Sequence, residues 1–138
     1  MNGPREPVYF SDRDLGRRFP EVLVAAGVRV QRHDEHFGPE TPDEAWIREV
    51  ARRGWVAITR DGRIRYSPLA LAVLQKSGAR LFVIVGKLTT DEAIAVFLRL
   101  RDEIAAYAQS QSGAFIAKIR RDGVHAWWSA ARRRRRHR

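Results

Sequence analysis

Cysteine is absent from the 138 residues of this chain, and so is any long uninterrupted apolar run. Without cysteine there are no disulfides and no thiolate metal sites, which fits the reducing cytoplasm where we expect this protein. A membrane-spanning helix needs about 20 predominantly apolar residues, so we predict no membrane association. The first seven residues are polar and include two prolines, which is unlike a signal peptide.

Acidic residues are outnumbered by basic ones, 16 to 26, and the formal net charge is +10. Six arginines within residues 132–138 supply +6, so the rest of the chain carries +4. A basic balance favours polyanionic partners such as nucleic acid, while a terminal charge run is equally often a solvated segment. The length is that of about one domain, which we place at residues 1–126, followed by a basic tail at residues 127–138.

Short apolar runs alternate with segments of helical periodicity along the chain. Strand-like runs lie at residues 8–11, 28–31, 55–59, 80–85 and 114–119, and helical patterns lie at residues 14–26, 41–53, 69–76 and 89–109. Two helix starts show capping boxes, Thr41 with Glu44 and Thr89 with Glu92. The alternation predicts an α/β fold in which a mainly parallel sheet is covered by helices on both faces.

Two of the apolar runs end in aspartate. Asp12 directly follows the first run, and Asp61 lies two residues after Thr59, where the third run ends. Because the carboxyl ends of parallel strands line one crevice, we expect both carboxylates at the same edge of the sheet. Asp43 lies in the first turn of a helix, on the face that carries Trp46 and other apolar residues, so it should point towards this edge.

Each of these acids also has a structural explanation, because aspartates are common in turns and helix caps. Asp61 begins a common turn dipeptide, Asp14 could cap the helix that follows it, and Glu44 is explained by its capping box. Together at one edge, Asp12, Asp43 and Asp61 favour a divalent-cation site about as strongly as structural roles. Mg²⁺ prefers oxygen ligands, and such ions assist in-line displacement at phosphorus. The pattern therefore suggests metal-assisted phosphodiester hydrolysis.

Three segments of the chain resemble the PIN-like domains of VapC-type toxins: residues 10–16 (FSDRDLG), 41–47 (TPDEAWI) and 59–64 (TRDGRI). The resemblance extends from about residue 8 to residue 123. It implies a three-layer α/β/α fold and a Mg²⁺- or Mn²⁺-dependent endoribonuclease, the toxin of a toxin–antitoxin pair. In that family Asp12, Asp43 and Asp61 would be the catalytic, metal-binding residues.

The chain departs from the family pattern next to Asp61. Many relatives carry a further acid there, whereas this chain has Gly62 and Arg63, so Asp14 and Glu44 are the alternative ligands. The resemblance also implies RNA as the substrate and an antitoxin protein that covers the acidic cleft. A homodimer is a further expectation.

Basic residues near these acids are candidates for holding RNA phosphates while the acids hold metal. The set comprises Arg13, Arg60, Arg63, Arg65 and Lys87. A solvated basic edge explains them equally well.

Two further segments attract attention. Residues 33–36 (HDEH) look like a metal cluster, but their polar surroundings favour a solvated loop, with the border of a substrate channel as the alternative. Trp127 and Trp128 precede the arginine tail, and we expect them to anchor the C-terminus on apolar surface, with base stacking as the alternative.

Two other functions stay open. A non-catalytic RNA- or protein-binding module of the same fold would show much of the same pattern. A receiver-like phosphoacceptor domain, with Asp61 phosphorylated and Lys87 at the phosphoryl group, ranks lower. The adjacent acidic pair typical of receivers is missing, because Arg13 separates Asp12 from Asp14.

Overall fold

The computed structural model describes residues 5–130, which form six strands and five α-helices. The strands are β1 (Tyr9–Ser11), β2 (Val30–Arg32), β3 (Val56–Thr59), β4 (Arg80–Ile84), β5 (Phe115–Arg120) and β6 (Gly123–Ser129). The helices are α1 (Arg18–Ala25), α2 (Asp43–Arg52), α3 (Pro68–Ser77), α4 (Thr90–Arg99) and α5 (Arg101–Ser110). Short 3₁₀ turns cover Arg13–Leu15, His33–Glu35 and Gly62–Tyr66.

All six strands belong to one sheet in the order β2-β1-β3-β4-β5-β6. Every neighbouring pair is parallel except the last, because β6 folds back on β5 through a tight turn. The predicted α/β fold with a mainly parallel sheet is confirmed. Strand β1 lies between β2 and β3, so the chain leaves it on one side and returns on the other.

The sheet buries a separate apolar core on each face, which gives the three layers. Successive residues of a strand point to opposite faces, and Tyr9 and Phe10 show this directly. The Tyr9 ring packs edge-on to Phe97 of α4, with centroids 5.3 Å apart, in the core under α1, α4 and α5. The Phe10 ring stacks on Trp46 of α2, with centroids 5.4 Å apart, in the core under α2 and α3. Central strands buried on both faces explain the continuous apolar runs.

One of the two predicted capping boxes is present and the other is not. Thr89 and Glu92 bond reciprocally at the start of α4, at 3.1 and 2.8 Å, as predicted. The box at Thr41 was wrong, because Pro42 takes the capping position of α2 and no side chain caps this helix. The first turn of α2 instead carries Asp43 and Glu44, whose charges complement the positive end of the helix.

The single helix expected at residues 89–109 is divided in two at Leu100. The sequence has no glycine or proline there to indicate a break. Arg101, the first residue of α5, forms a two-point ion pair with Glu6 at 2.7 and 2.8 Å. The bend keeps Phe97 of α4 and Ile104 of α5 in the same core, and the ion pair holds the bend against the segment before β1.

Strand β6 was not indicated by the sequence pattern. It continues to Ser129 and includes both Trp127 and Trp128, the second of which is buried in the core. The domain division at residue 126 stays a prediction, and residues 131–138 lie outside the described part. None of the helices within residues 5–130 is both long and apolar enough to cross a bilayer.

Candidate active site

Four aspartates surround one cavity of about 430 Å³, which we call the acidic cavity. Asp12 follows β1, Asp14 lies in the next 3₁₀ turn, Asp43 opens α2, and Asp61 follows β3 by two residues. The cavity lies at the carboxyl ends of β1 and β3. After β1 the order of the strands changes direction, from β2 on one side to β3 on the other, and α/β proteins bind ligands at such a point. The complete lining comprises Asp12, Arg13, Asp14, His33, Pro39, Thr41, Asp43, Trp46, Arg60, Asp61 and Arg63.

A buried threonine hydroxyl joins two of the carboxylates. Thr59, the last residue of β3, has no exposed surface. Its Oγ1 lies 2.8 Å from Oδ2 of Asp12 and 3.0 Å from Oδ2 of Asp14, and it accepts a hydrogen bond from the backbone N–H of Asp61 at 3.1 Å. Further backbone N–H groups donate to these acids, from Arg13 to Asp12 at 2.7 Å and from Arg60 to Asp14 at 3.0 Å.

The shared hydroxyl cannot satisfy both carboxylates, because it has one proton to donate. The second carboxylate must therefore carry a proton of its own or remain close to a like charge. Burial raises the pKa of Asp14 to about 6, and the charge of Asp12 raises it as well. Asp14 as a whole residue is exposed, but its Oδ2 is held against buried Thr59. Burial also raises the pKa of Asp12, in spite of its hydrogen bond from Thr59.

Asp43 and Asp61 have different kinds of partner, a neutral indole and a charged guanidinium. Asp43 accepts a hydrogen bond from the indole Nε1–H of Trp46 at 2.9 Å. Asp61 forms a two-point ion pair with Arg63, Nε to Oδ1 at 2.9 Å and Nη2 to Oδ2 at 3.0 Å. The hydrogen bonds from Arg63 hold the pKa of Asp61 below its usual range. Asp61 is therefore charge-compensated, whereas Asp12 and Asp14 have no ion-pair partner among residues 5–130.

The donor set partly fits a divalent cation. Asp12 and Asp14 present closely spaced carboxylate oxygens, the ligands that Mg²⁺ prefers, and a cation would relieve the repulsion between them. Among residues 5–130, however, no group of three His, Asp or Glu side chains is arranged to hold a metal ion as the side chains stand. A third protein ligand would require Asp43 or Asp61 to move towards Asp12 and Asp14.

Three of the five basic residues singled out from the sequence line the acidic cavity: Arg13, Arg60 and Arg63. Arg60 donates both terminal nitrogens to main-chain carbonyls, at 2.8 Å to Leu88 and 2.9 Å to Gly86. It thus ties the end of β3 to the loop before α4. The side chain of Arg63 is 92% exposed at the cavity mouth, even though it pairs with Asp61.

The remaining sequence candidates lie outside the cavity lining. Lys87 borders a different depression, together with Arg120 and Arg121. Arg65 and Glu44 are likewise absent from the lining. RNA-binding roles for Arg65 and Lys87, and a ligand role for Glu44, stay predictions that the cavity geometry does not favour.

His33 is the residue of the HDEH segment that the solvated-loop interpretation described wrongly. It is 3% exposed, packs against the rings of Phe10, Phe37 and Trp46, and lines the acidic cavity. Its buried Nδ1 has no hydrogen-bond partner among the described residues. Burial lowers the pKa of His33, opposed by the charge of Asp12. The channel-border alternative describes its position better.

Thr59 begins one of the segments singled out from the sequence, but no role was predicted for it. A threonine at the end of an otherwise apolar buried strand is a signal in the sequence, because a buried hydroxyl needs partners. That signal does not identify the partners, since they come from the turn after β1.

A family model described as a PIN-like domain matches residues 7–86, which include β1 to β4 and all four aspartates of the cavity. One curated relative, named "Putative ribonuclease VapC45", comes from Mycobacterium tuberculosis (strain ATCC 25618 / H37Rv). It is 34% identical over 80 residues, which cover 54% of this chain and 58% of the relative. The chain thus spans little more than half the length of the curated relative it matches. No solved structure gives a significant match.

Proposed function

Because the chain belongs to the PIN-like domain family, we propose that it is a metal-dependent endoribonuclease of the VapC type. The observation that carries this proposal is the acidic cavity, where four aspartates meet and two of them share one buried hydroxyl. Such an arrangement concentrates negative charge at a cost in stability, which a substrate-binding cation would offset. The name of the mycobacterial relative, a ribonuclease, supports the same activity.

The proposed cation is Mg²⁺ or Mn²⁺, held first by Asp12 and Asp14. Asp43 and Asp61 would be the further ligands, Asp43 through the oxygen that does not accept the Trp46 N–H, and Asp61 once it leaves Arg63. A bound divalent cation would supply Lewis acidity to a phosphate group and lower the pKa of a water molecule. Thr59 holds Oδ2 of Asp12 and Oδ2 of Asp14 from the buried side, while Oδ1 of Asp12 accepts the Arg13 N–H at 2.7 Å and retains lone-pair capacity for a cation.

Basic side chains at the cavity mouth hold the RNA strand in this proposal. Arg63 is exposed, and its guanidinium matches two phosphate oxygens as well as it matches the carboxylate of Asp61. Transfer of Arg63 from Asp61 to a phosphate would bind the substrate and free a carboxylate in one movement. Arg13 lines the same cavity and donates Nη1 to the carbonyl of Pro39 at 2.7 Å, which leaves its other guanidinium donors for phosphate.

The toxin role, the antitoxin partner and the cytoplasmic location belong to the same proposal. They rest on the VapC name of the relative and on the family resemblance of the aspartate motifs. A homodimer stays a prediction.

RNA cleavage by purified protein tests the activity. With Mn²⁺ we expect cleavage of single-stranded RNA, loss of cleavage in a chelator, and loss in Asp12→Asn and in Asp14→Asn. The matched control is Asp102→Asn, since Asp102 is exposed in the first turn of α5 and lies outside the lining of the acidic cavity. Cleavage that survives chelation or both cavity substitutions would refute the metal mechanism.

A non-catalytic RNA-binding module of the same fold is the second candidate. The observation in its favour is that Asp61 is paired with Arg63 and that no three-ligand group stands ready within the described residues. It predicts RNA binding with neither cleavage nor a Mn²⁺-induced rise in melting temperature. The receiver-like alternative has less support, because Lys87 and Asp61 line different depressions.

A further inference from the structure

Beside the acidic cavity, the exposed ring of Tyr66 lies against the partly buried ring of Trp127, and neither ring has a role in the proposed metal site. Tyr66 ends the 3₁₀ turn after β3, and 73% of the residue is exposed. Trp127 of β6 meets it edge to face, with ring centroids 5.9 Å apart at 77°. Aromatic rings contribute to stability mainly when they are buried, so a tyrosine as exposed as Tyr66 adds little to the core. We call Tyr66 and Trp127, together with the neighbouring cations Arg65 and Lys118, the aromatic ledge.

Two cations flank these rings. Lys118 Nζ lies 4.3 Å from the centroid of Trp127, and Arg65 Cζ lies 5.6 Å from that of Tyr66. Neither cation has an ion-pair partner among residues 5–130, and the buried Nε of Arg65 has no hydrogen-bond partner there. The ledge is therefore both aromatic and uncompensated in positive charge.

A strand irregularity sets the position of Trp127. Across β5 and β6, Ile116 pairs with Trp128 and Ala117 pairs with Ala126, so Trp127 is the extra residue of a β-bulge. Bulges redirect a side chain and are frequent next to active sites. Here Trp128 stays buried in the core, while Trp127 remains half-buried and turns to Tyr66.

The ledge adjoins the acidic cavity directly. Gly62 follows Asp61, and a Cβ built on Gly62 would lie 3.5 Å from Cη2 of Trp127. Arg63, which lines the cavity, lies in the same 3₁₀ turn as Tyr66. An RNA strand that leaves the cavity past Arg63 would therefore meet the ledge within the same 3₁₀ turn of the protein.

We propose that the aromatic ledge binds the bases of single-stranded RNA next to the nucleotide held in the acidic cavity. Aromatic rings stack on bases, and unpaired cations beside them hold the phosphates, which is how single strands are bound without sequence readout. Double-stranded RNA keeps its bases stacked inside and offers no ring to the ledge. The inference rests on the proposed function for its direction, and it specifies the substrate as unpaired RNA.

Charge argues against two other occupants. Residues 131–138 of this chain carry six arginines, and a second copy brings a net charge of +10, so neither supplies an excess of negative charge to pair with Arg65 and Lys118. An acidic protein segment would satisfy the cations, but it would leave most of the Tyr66 ring without a stacking partner.

Binding of labelled RNA of roughly 12 nucleotides, a length typical of single-strand sites, tests the ledge by fluorescence anisotropy in a chelator that prevents cleavage. Tyr66→Ala should weaken binding by about 5- to 100-fold, the usual effect of losing one stacked base. Tyr66→Phe, which keeps the ring, should bind like the wild type. The matched control is Val24→Ala, at a 53% exposed apolar residue of α1.

An abasic strand of equal length separates stacking from charge. It retains the phosphates but has no bases, so Tyr66→Ala should bind it as well as the wild type does. Equal weakening on both strands, an unchanged affinity for RNA, or no measurable RNA binding by the wild type would overturn the proposal. If Tyr66→Ala weakens binding of a polyglutamate peptide but not of RNA, the ledge binds a protein partner, and the proposal is overturned as well.

The ledge and the enzyme fail separately in this design. A protein that binds RNA through Tyr66 but never cleaves it with Mn²⁺ keeps the ledge and refutes the ribonuclease. A protein that cleaves RNA while Tyr66→Ala binds normally keeps the ribonuclease and refutes the ledge.

Discussion

Replacement of Thr59 by valine isolates the hydroxyl that joins Asp12 and Asp14. Valine has nearly the same shape as threonine, and the side chain is fully buried, so packing in the core should be preserved. The substitution removes the donor to the two carboxylates and the acceptor of the Asp61 N–H.

The expected loss follows from these contacts. A hydrogen bond to a charged group contributes about 1.5–3 kcal/mol, and an unsatisfied buried N–H costs roughly 1–3 kcal/mol more. One additional buried methyl group returns about 0.8 kcal/mol. We therefore expect Thr59→Val to lower the free energy of unfolding by about 2–5 kcal/mol, a large part of the roughly 5–15 kcal/mol of a typical domain.

Urea unfolding in a chelator at pH about 8, well above the pKa of about 6 of Asp14, measures this loss. Thr59→Ser is the matched control, since serine keeps the hydroxyl and loses only a methyl group, at a cost of about 1 kcal/mol. If Thr59→Val is as stable as the wild type, or more stable than Thr59→Ser, the hydroxyl does not hold the two acids as described.

Three further predictions concern the cavity and the core. The pKa of Asp14 is raised to about 6 from 3.8, so its ionisation destabilises the fold as the pH rises through that range. Asp14→Asn should therefore be more stable to urea than the wild type at pH about 7.5. Equal stabilities at that pH would contradict the pKa argument. That advantage should vanish near pH 4.5, where the wild-type carboxyl is also mostly neutral. Arg63→Gln releases Asp61 from an exposed ion pair, so calorimetry should show Mn²⁺ binding that is tighter by up to about fivefold, whereas weaker binding would mean that Arg63 supports the site. Phe97→Ala should lower the free energy of unfolding by about 3–5 kcal/mol in urea, and a loss under 1 kcal/mol would refute its central place in the core.

Much of the fold was predictable because burial on both faces leaves a plain pattern. The apolar runs of β1, β3 and β4 and the periodicity of the helices identified the layers before any contact was known. Strand β6 was not predictable in the same way, because its bulge at Trp127 breaks the alternation that marks a strand. The division at Leu100 also left no local signal, because neither glycine nor proline lies there, and the partner of Arg101 at the start of α5 is the distant Glu6.

The cavity was predictable to the level of residues but not of contacts. Strand ends and helix phase placed Asp12, Asp43 and Asp61 around one space, and the structure brings them there. The close partner of Asp12 is nevertheless Asp14, because both reach the hydroxyl of Thr59 on a neighbouring strand. Such a contact depends on strand register and on side-chain direction, which a single sequence does not specify.

The ribosome makes the residues of the acidic cavity early, but the elements that hold them in place are made later. All four aspartates lie in the first 61 residues, yet Tyr9 of β1 is covered by Phe97 of α4, which the ribosome makes much later. Parallel pairings across long connections also form slowly compared with local contacts. A nascent chain therefore has the acids long before it has the rigid cavity, and this interval gives any partner of the exposed β1 region time to bind before the site is formed.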